Sequence, residues 1–158
     1  MKKENRNMKR ATKEQGNQIF ELYKTLINSQ ANLEPYFFKE AEQTKKFIKE
    51  MIMDELSDFL IVEEGNHVLG FLAIREVTSP EYPMFRKRKS AYILDLVVLP
   101  SQRRMGYAKE LLESAISWQE ERKLEYLELC VLSSNKEAQK LYESIGFEPF
   151  SHQMILKN

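Results

Sequence analysis

The sequence predicts a mixed α/β domain in which helices lie on both faces of one sheet, and three observations carry that reading. Tyr92-Ile-Leu-Asp-Leu-Val-Val-Leu99 reads as a strand stopped by Pro100. Beyond it, apolar residues recur at Ala108, Leu111, Leu112, Ala115 and Ile116, the i, i+3, i+4, i+7, i+8 spacing of a helix with one buried face. Two further apolar runs, Phe59 to Glu63 and Val68 to Val77, meet at Gly65-Asn66, a dipeptide suited to a tight hairpin. Finally, Thr12-Lys-Glu-Gln15 and Ser134-Asn-Lys-Glu137 have the form of capping boxes, which satisfy the free N–H groups at helix starts. The implied order is β-α-α-β-β-β-α-β-α-β.

Taken along the chain, residues 1–7 are polar and expected to fray, and Met8 to Ala11 is read as a short first strand. Ile19, Leu22, Tyr23, Leu26 and Ile27 supply the buried stripe of a first helix. Asn28 to Pro35 is a loop. A second helix is predicted over Phe37 to Leu56, with Phe37, Ala41, Phe47, Ile48, Met51 and Ile52 inward. In the hairpin, Gly70 marks a bulge, and His67 at the tip is read as a surface residue with no acidic partner near it in sequence. Thr78 to Lys89 contains two Xaa-Pro steps and the run Arg86-Lys-Arg-Lys89, which reads as a solvated loop. Tyr126 to Leu132 is the next strand. The last helix buries Ala138, Leu141, Tyr142 and Ile145 and ends at Gly146. Phe147 to Leu156 is read as one or two closing strands bent at Pro149.

Length and charge bound the function. A chain of 158 residues suits one domain spanning 1–158 with a substantial core. Lys+Arg and Asp+Glu both count 24, a net charge of zero, which argues against a dedicated nucleic-acid binder. A single cysteine excludes an internal disulfide framework and suits a reducing, cytoplasmic setting. No apolar run approaches membrane-spanning length, and the charged N-terminus lacks the apolar core of a signal peptide.

Arg103-Arg104-Met105-Gly106-Tyr107-Ala108 joins the strand to its helix, and it has the makings of a phosphate cradle. The first N–H groups of a helix lack internal acceptors and carry partial positive charge. Gly106 and Ala108 let a ligand approach the backbone, while the arginines add formal charge. A plain strand–loop–helix joint with solvated arginines fits the same residues. Neither G-x-x-x-x-G-K-[ST] nor G-x-G-x-x-G is present, so the two common nucleotide loops are excluded.

The Arg-x-x-Gly-x-Ala spacing resembles the acyl-CoA pyrophosphate loop of the GNAT superfamily of N-acetyltransferases. Downstream, Asn135, Ala138, Tyr142, Gly146 and Phe147 match that family's Asn-x-x-Ala-x-x-x-Tyr-x-x-x-Gly-Phe pattern. The resemblance is specific from Tyr92 to Phe150. It implies a mostly antiparallel sheet of six to seven strands and acetyl-CoA as cosubstrate, with no metal. It also implies that Leu96, Val97 and Val98 pair with the pantetheine arm and that Arg103, Arg104, Gly106, Tyr107, Ala108 and Lys109 hold the pyrophosphate. Asn135 and Ala138 would contact the arm, and Tyr142 would act as general acid toward the departing thiolate. The connection between the first two helices would wall the acceptor pocket through Leu33, Tyr36 and Phe37, although a plain role in capping the core fits these residues as well or better. The basic loop would either fold over an acidic acceptor or reach the 3′-phosphate of CoA.

The general base is less determined. Asp95 lies within an apolar strand, where burial raises a carboxyl pKa, and Glu128 shares a face with Cys130 on the next strand. Some relatives carry a glutamate where this chain has Cys130; the cysteine itself, with no histidine near in sequence, is not read as a nucleophile. The expected reaction is direct acetyl transfer to a primary amine in a ternary complex, on a small molecule or on a protein N-terminus or lysine. A non-catalytic acyl-CoA sensor is the alternative of another class. A homodimer is compatible with the resemblance.

Overall fold

The computed structural model describes residues 9–158; the predicted frayed end and Met8 lie outside the described residues. Strand β1 (Lys9–Arg10) leads through a 3-10 turn at Lys13–Gln15 into α1 (Gly16–Leu33), followed by α2 (Lys45–Met53). Then come β2 (Ser57–Glu64), β3 (His67–Thr78), β4 (Lys89–Val98), α3 (Tyr107–Glu121), β5 (Leu127–Leu129) and α4 (Lys136–Ile145). The five strands form one sheet in sequence order, antiparallel throughout except that β4 and β5 run parallel.

Strand alternation sorts the apolar residues onto two faces. On one face, Ile19, Leu22 and Tyr23 of α1 and Ile48 and Met51 of α2 pack on Phe59, Ile61, Phe71, Ala73 and Val97. Opposite, Leu111, Leu112, Ala115 and Trp118 of α3 pack on Leu60, Leu72, Ile74, Ala91 and Ile93. Trp118 is wholly buried; its Nε1 donates to Asp58 Oδ2 at 2.7 Å, and the Arg122 guanidinium stacks 4.1 Å from its ring centroid.

The Gly65-Asn66 hairpin forms as expected: Glu64 pairs with His67, and Gly65 adopts φ +60°. The bulge anticipated at Gly70 is present, since Val62 pairs with Gly70 but Glu63 with Val68. Gly70 is demanded by space. A Cβ there would sit 2.7 Å from the Val97 carbonyl oxygen of the neighbouring strand. A second bulge was not legible in the sequence: Ile93 pairs with Ile74 and Asp95 with Ala73, so Leu94 is an extra residue in β4.

Several expectations are corrected: the loop expected from Asn28 is helical through Leu33, and the strand expected over Tyr126 to Leu132 is confined to Leu127–Leu129. The second helix begins at Lys45, not Phe37, because the Thr44 hydroxyl accepts the Phe47 N–H at 3.1 Å and caps it there. Phe37 and Ala41 precede it and are exposed, having no sheet beneath them to reward a helical face. The cap of α4 is Asn135 rather than Ser134, its side chain accepting from the Ala138 N–H at 3.1 Å. The closing strands do not form, so the sheet has five strands, not six to seven. Phe147 packs on Tyr142, but Pro149 lacks an N–H to donate, and β5 pairs over only three residues, a short edge for any further ladder. Phe150, Met154 and Leu156 consequently face solvent.

Candidate active site

The end of β4 runs through Pro100–Gln102 into the turn that opens α3. Two residues of this turn are left-handed, Arg104 at φ 63° and Gly106 at φ 85°. Such conformations curl the backbone so that successive N–H groups turn to one side, a concavity that suits anions. No atom lies within 4 Å of where a Gly106 Cβ would be, so the space above the amides is open. Arg103, Arg104 and Lys109 are exposed and have no carboxylate partner among the described residues, while Tyr107 and Ala108 are half-buried in the first turn of α3.

Beside this turn the sheet parts. Strands β4 and β5 pair only through Ala91, Tyr92 and Ile93, opposite Leu127, Glu128 and Leu129. From Leu94 to Val98, β4 has no strand neighbour on that side among the described residues, although β3 still pairs along its other edge to Val98. The free stretch contains Leu96, Val97 and Val98. An extended amide-bearing arm laid there could pair with the strand as an added neighbour would.

A set of titratable groups gathers along the gap. The bulge at Leu94 leaves Asp95 on the α1 face, opposite Ala73, where the Tyr23 hydroxyl donates to its Oδ2 at 2.8 Å. Burial pushes the Asp95 carboxyl up, and the Tyr23 hydrogen bond draws it partly back. Tyr142 of α4 is raised by burial and then by the charge of Asp95, so it keeps its proton at neutral pH. Tyr92 is pushed up to about 12, first by its hydrogen bond to Cys130 and then by burial. Glu128 accepts from the Ser90 hydroxyl at 3.1 Å. Cys130 is exposed.

Asn135 and Tyr142 stand two turns apart, roughly 10 Å along the axis of α4. The Asn135 carboxamide oxygen caps the helix, which leaves its amide group for a ligand, and Ala138 follows half-buried in the first turn. Leu33, Tyr36 and Phe37 are exposed at and beyond the end of α1, and Lys157 lies 4.1 Å from the Tyr36 ring centroid. The basic loop joins β3 to β4 at the end of the sheet opposite the Gly106 turn, with Arg88 and Lys89 paired to Glu125 and Glu76. Ten residues of strand, roughly 30 Å, separate it from the Gly106 turn, too far to share a phosphate with that turn.

The signal for Tyr23 was present in the sequence only as one member of an apolar stripe; nothing local tied it to Asp95, 72 positions on. His67 is exposed as expected, yet it lines a cleft of about 920 Å³ with the carboxylates of Glu21 and Glu64 and the carboxamide of Gln102; Glu64 lies only three residues before it, and Glu21 is brought in by α1. No three metal-ligating side chains converge among the described residues. No helix there is long and apolar enough to cross a membrane.

A sheet parted beside an amide-lined turn, with proton-bearing groups along the opening, is the architecture of an acyltransferase. The chain belongs to the acetyltransferase (GNAT) family, whose model matches residues 20–147. It is 26% identical over 137 residues to an uncharacterized N-acetyltransferase of Archaeoglobus fulgidus, covering 87% of this chain and 89% of that one. Over 57 residues it is 44% identical to the [ribosomal protein bS18]-alanine N-acetyltransferase of Haemophilus ducreyi, 36% of this chain and 39% of the other. The fold matches a tetramutant of the BH1408 protein of Bacillus halodurans with TM-score 0.89 at 23% identity, covering 96% and 99% of the two chains. It also matches an aminoglycoside N-acetyltransferase in complex with CoA, with TM-score 0.74 at 16% identity over 96% and 98%. At these identities the structural likenesses speak to fold alone.

Proposed function

We propose that this single domain transfers the acetyl group of acetyl-CoA directly to a primary amine, both substrates being bound together. The observation that carries the reading is the opening of β4 from Leu94 to Val98, with the Gly106 turn at one end and Asp95 and Tyr142 alongside. The residues fit the cosubstrate. Open amides at Gly106, with Arg103, Arg104, Tyr107, Ala108 and Lys109 around them, suit a diphosphate. Leu96, Val97 and Val98 suit the arm's amides, with Asn135 and Ala138 flanking it.

Bound acetyl-CoA supplies an activated thioester. The protein's part is to hold it beside the acceptor, to receive the proton that keeps the amine from attacking, and to return one to the leaving sulfur. Asp95 is the base of this reading, because it is half-buried, raised and engaged by a single donor. Glu128, hydrogen-bonded by Ser90, is the second candidate. Tyr142 is the acid: its proton is held firmly at neutral pH and can pass to the thiolate. Leu33, Tyr36 and Phe37 face the acceptor.

A protein N-terminus is a second acceptor class, favoured by the 44% identical segment shared with the bS18-alanine enzyme. The test is thiol release from acetyl-CoA across a panel of small amines and N-terminal peptides, alongside thermal stabilisation by acetyl-CoA. Stabilisation with no thiol release from any amine would mean a non-catalytic acyl-CoA module. Gly106→Glu is expected to abolish stabilisation by acetyl-CoA, since it sets a carboxylate in the anion site and a side chain in a left-handed position. Unchanged stabilisation would take the turn out of the site.

A further inference from the structure

Asp95 sits in a polar pocket made by several elements. From α1, the Tyr23 hydroxyl donates to its Oδ2 at 2.8 Å. Its charge reaches Tyr142 on α4 and Tyr92 on β4, and Tyr92 in turn has Glu128 and Cys130 of the β5 segment beside it. Across the sheet, β3 presents Ala73 directly opposite, and its nearest cation on that strand, Arg75, lies opposite Tyr92. Nothing but Tyr23 donates to the carboxylate among the described residues. The other oxygen of Asp95 is not among the buried atoms lacking a partner, so it keeps contact with solvent.

Tyr23 is built to stay put. It is 1% exposed, and its ring is wedged among Phe47, Phe59 and Phe71, with centroid distances of 6.1, 6.2 and 4.8 Å. A buried hydroxyl is costly without a partner, and the one this hydroxyl has is the half-buried carboxylate of Asp95, which would lose its donor if the ring were phenylalanine.

We propose that Tyr23 is a positioning residue for acyl transfer: clamped in the aromatic core, it fixes one oxygen of Asp95 and leaves the other turned to the solvent-open gap as the acceptor of the amine's proton. The inference rests on the transferase reading above and goes beyond it in assigning the base an orienting partner. In the step it serves, an ammonium acceptor gives one proton to Asp95, and the freed lone pair forms the C–N bond. The C–S bond then breaks, and the sulfur takes a proton from Tyr142. The nitrogen's surplus proton restores Tyr142 through water, and Asp95 releases its own to solvent, so charge and protons balance.

Tyr23→Phe keeps the ring and removes only the donor. Losing that hydrogen bond leaves the Asp95 carboxylate less stabilised, so it holds its proton to higher pH. With acetyl-CoA and the best amine of the panel, the acidic limb of the kcat/KM profile should therefore move to higher pH. The loss should be roughly two- to tenfold on the acidic side and smaller on the alkaline plateau. Following the Asp95 carboxyl carbon by NMR titration should show the same upward displacement without any turnover. On an Asp95→Asn background, Tyr23→Phe should cost nothing further. A pH-independent loss, an unmoved Asp95 titration, or additive effects in the double variant would each overturn the proposal. Absence of thiol release from the wild type with every amine would instead sink the transferase reading beneath it, and is recognisable because the Asp95 titration would still respond to Tyr23→Phe.

Discussion

The two faces of β4 are made from the same ten residues and do different work. Toward α3, Ala91, Ile93, Leu96 and Val98 meet an aliphatic layer sealed by Trp118. Toward α1, Leu94 and Val97 meet an aromatic cluster whose Tyr23 hydroxyl donates to the Asp95 carboxylate. The bulge at Leu94 separates the regimes by spending one residue without advancing the register. One face is optimised for burial. The other holds a half-buried carboxylate, which costs stability, the trade expected where a proposed base is placed against a core.

The sharpest way to test that division is to damage each face and read both stability and turnover. Trp118→Ala should cost about 3–5 kcal/mol of stability, read by denaturant unfolding, with kcat preserved at temperatures where the protein remains folded. A loss of kcat in the folded protein would mean that the α3 face also governs chemistry. Tyr142→Phe should do the reverse, lowering kcat by about 10²–10³ with acetyl-CoA affinity and melting temperature nearly unchanged. Equal losses in turnover and affinity would strip Tyr142 of its role as acid.

Smaller effects refine the comparison. Gly70→Ala forces a Cβ against the Val97 carbonyl and should cost about 1–3 kcal/mol, while also disturbing the free stretch of β4 and weakening acetyl-CoA binding. Wild-type affinity in this variant would show that the β4 backbone tolerates displacement. Asp95→Asn makes the subtlest prediction. The folded carboxyl is raised above its ordinary value of 3.8, so its neutral form is the one the fold favours. The stability associated with that form is complete below pH 3.8 and is lost as pH rises through the folded value. Asp95→Asn should therefore raise the melting temperature at neutral pH, lose that advantage in acid, and be slow in turnover throughout. A neutral-pH variant no more stable than wild type would mean that burial does not oppose this charge.

Much of the architecture was legible because it is encoded locally. The Gly65-Asn66 hairpin, the stripe from Ile19 to Ile27 and the left-handed Gly146 all follow from residue types at short spacing. The turn at Arg103–Ala108 was legible for the same reason: it is built mainly from backbone, and backbone conformation follows neighbouring residues. The misread portions were those where local pattern and tertiary support diverge. Phe37 and Ala41 have helical spacing but no surface to bury against, so the Thr44 cap decides where α2 begins. The closing strands have apolar residues and, in the described structure, no ladder to join.

From sequence alone come the order of elements as far as the last helix, the glycine turn that opens α3 and the tyrosine of the last helix, since each depends on interactions within a few residues. Tertiary structure alone decided that β4 stands free beyond Ile93, that a bulge at Leu94 leaves Asp95 facing α1, and that Tyr23 reaches it across 72 positions. Those features depend on register and on which faces meet. Periodicity can say that a residue is buried, but only packing determines what it is buried against.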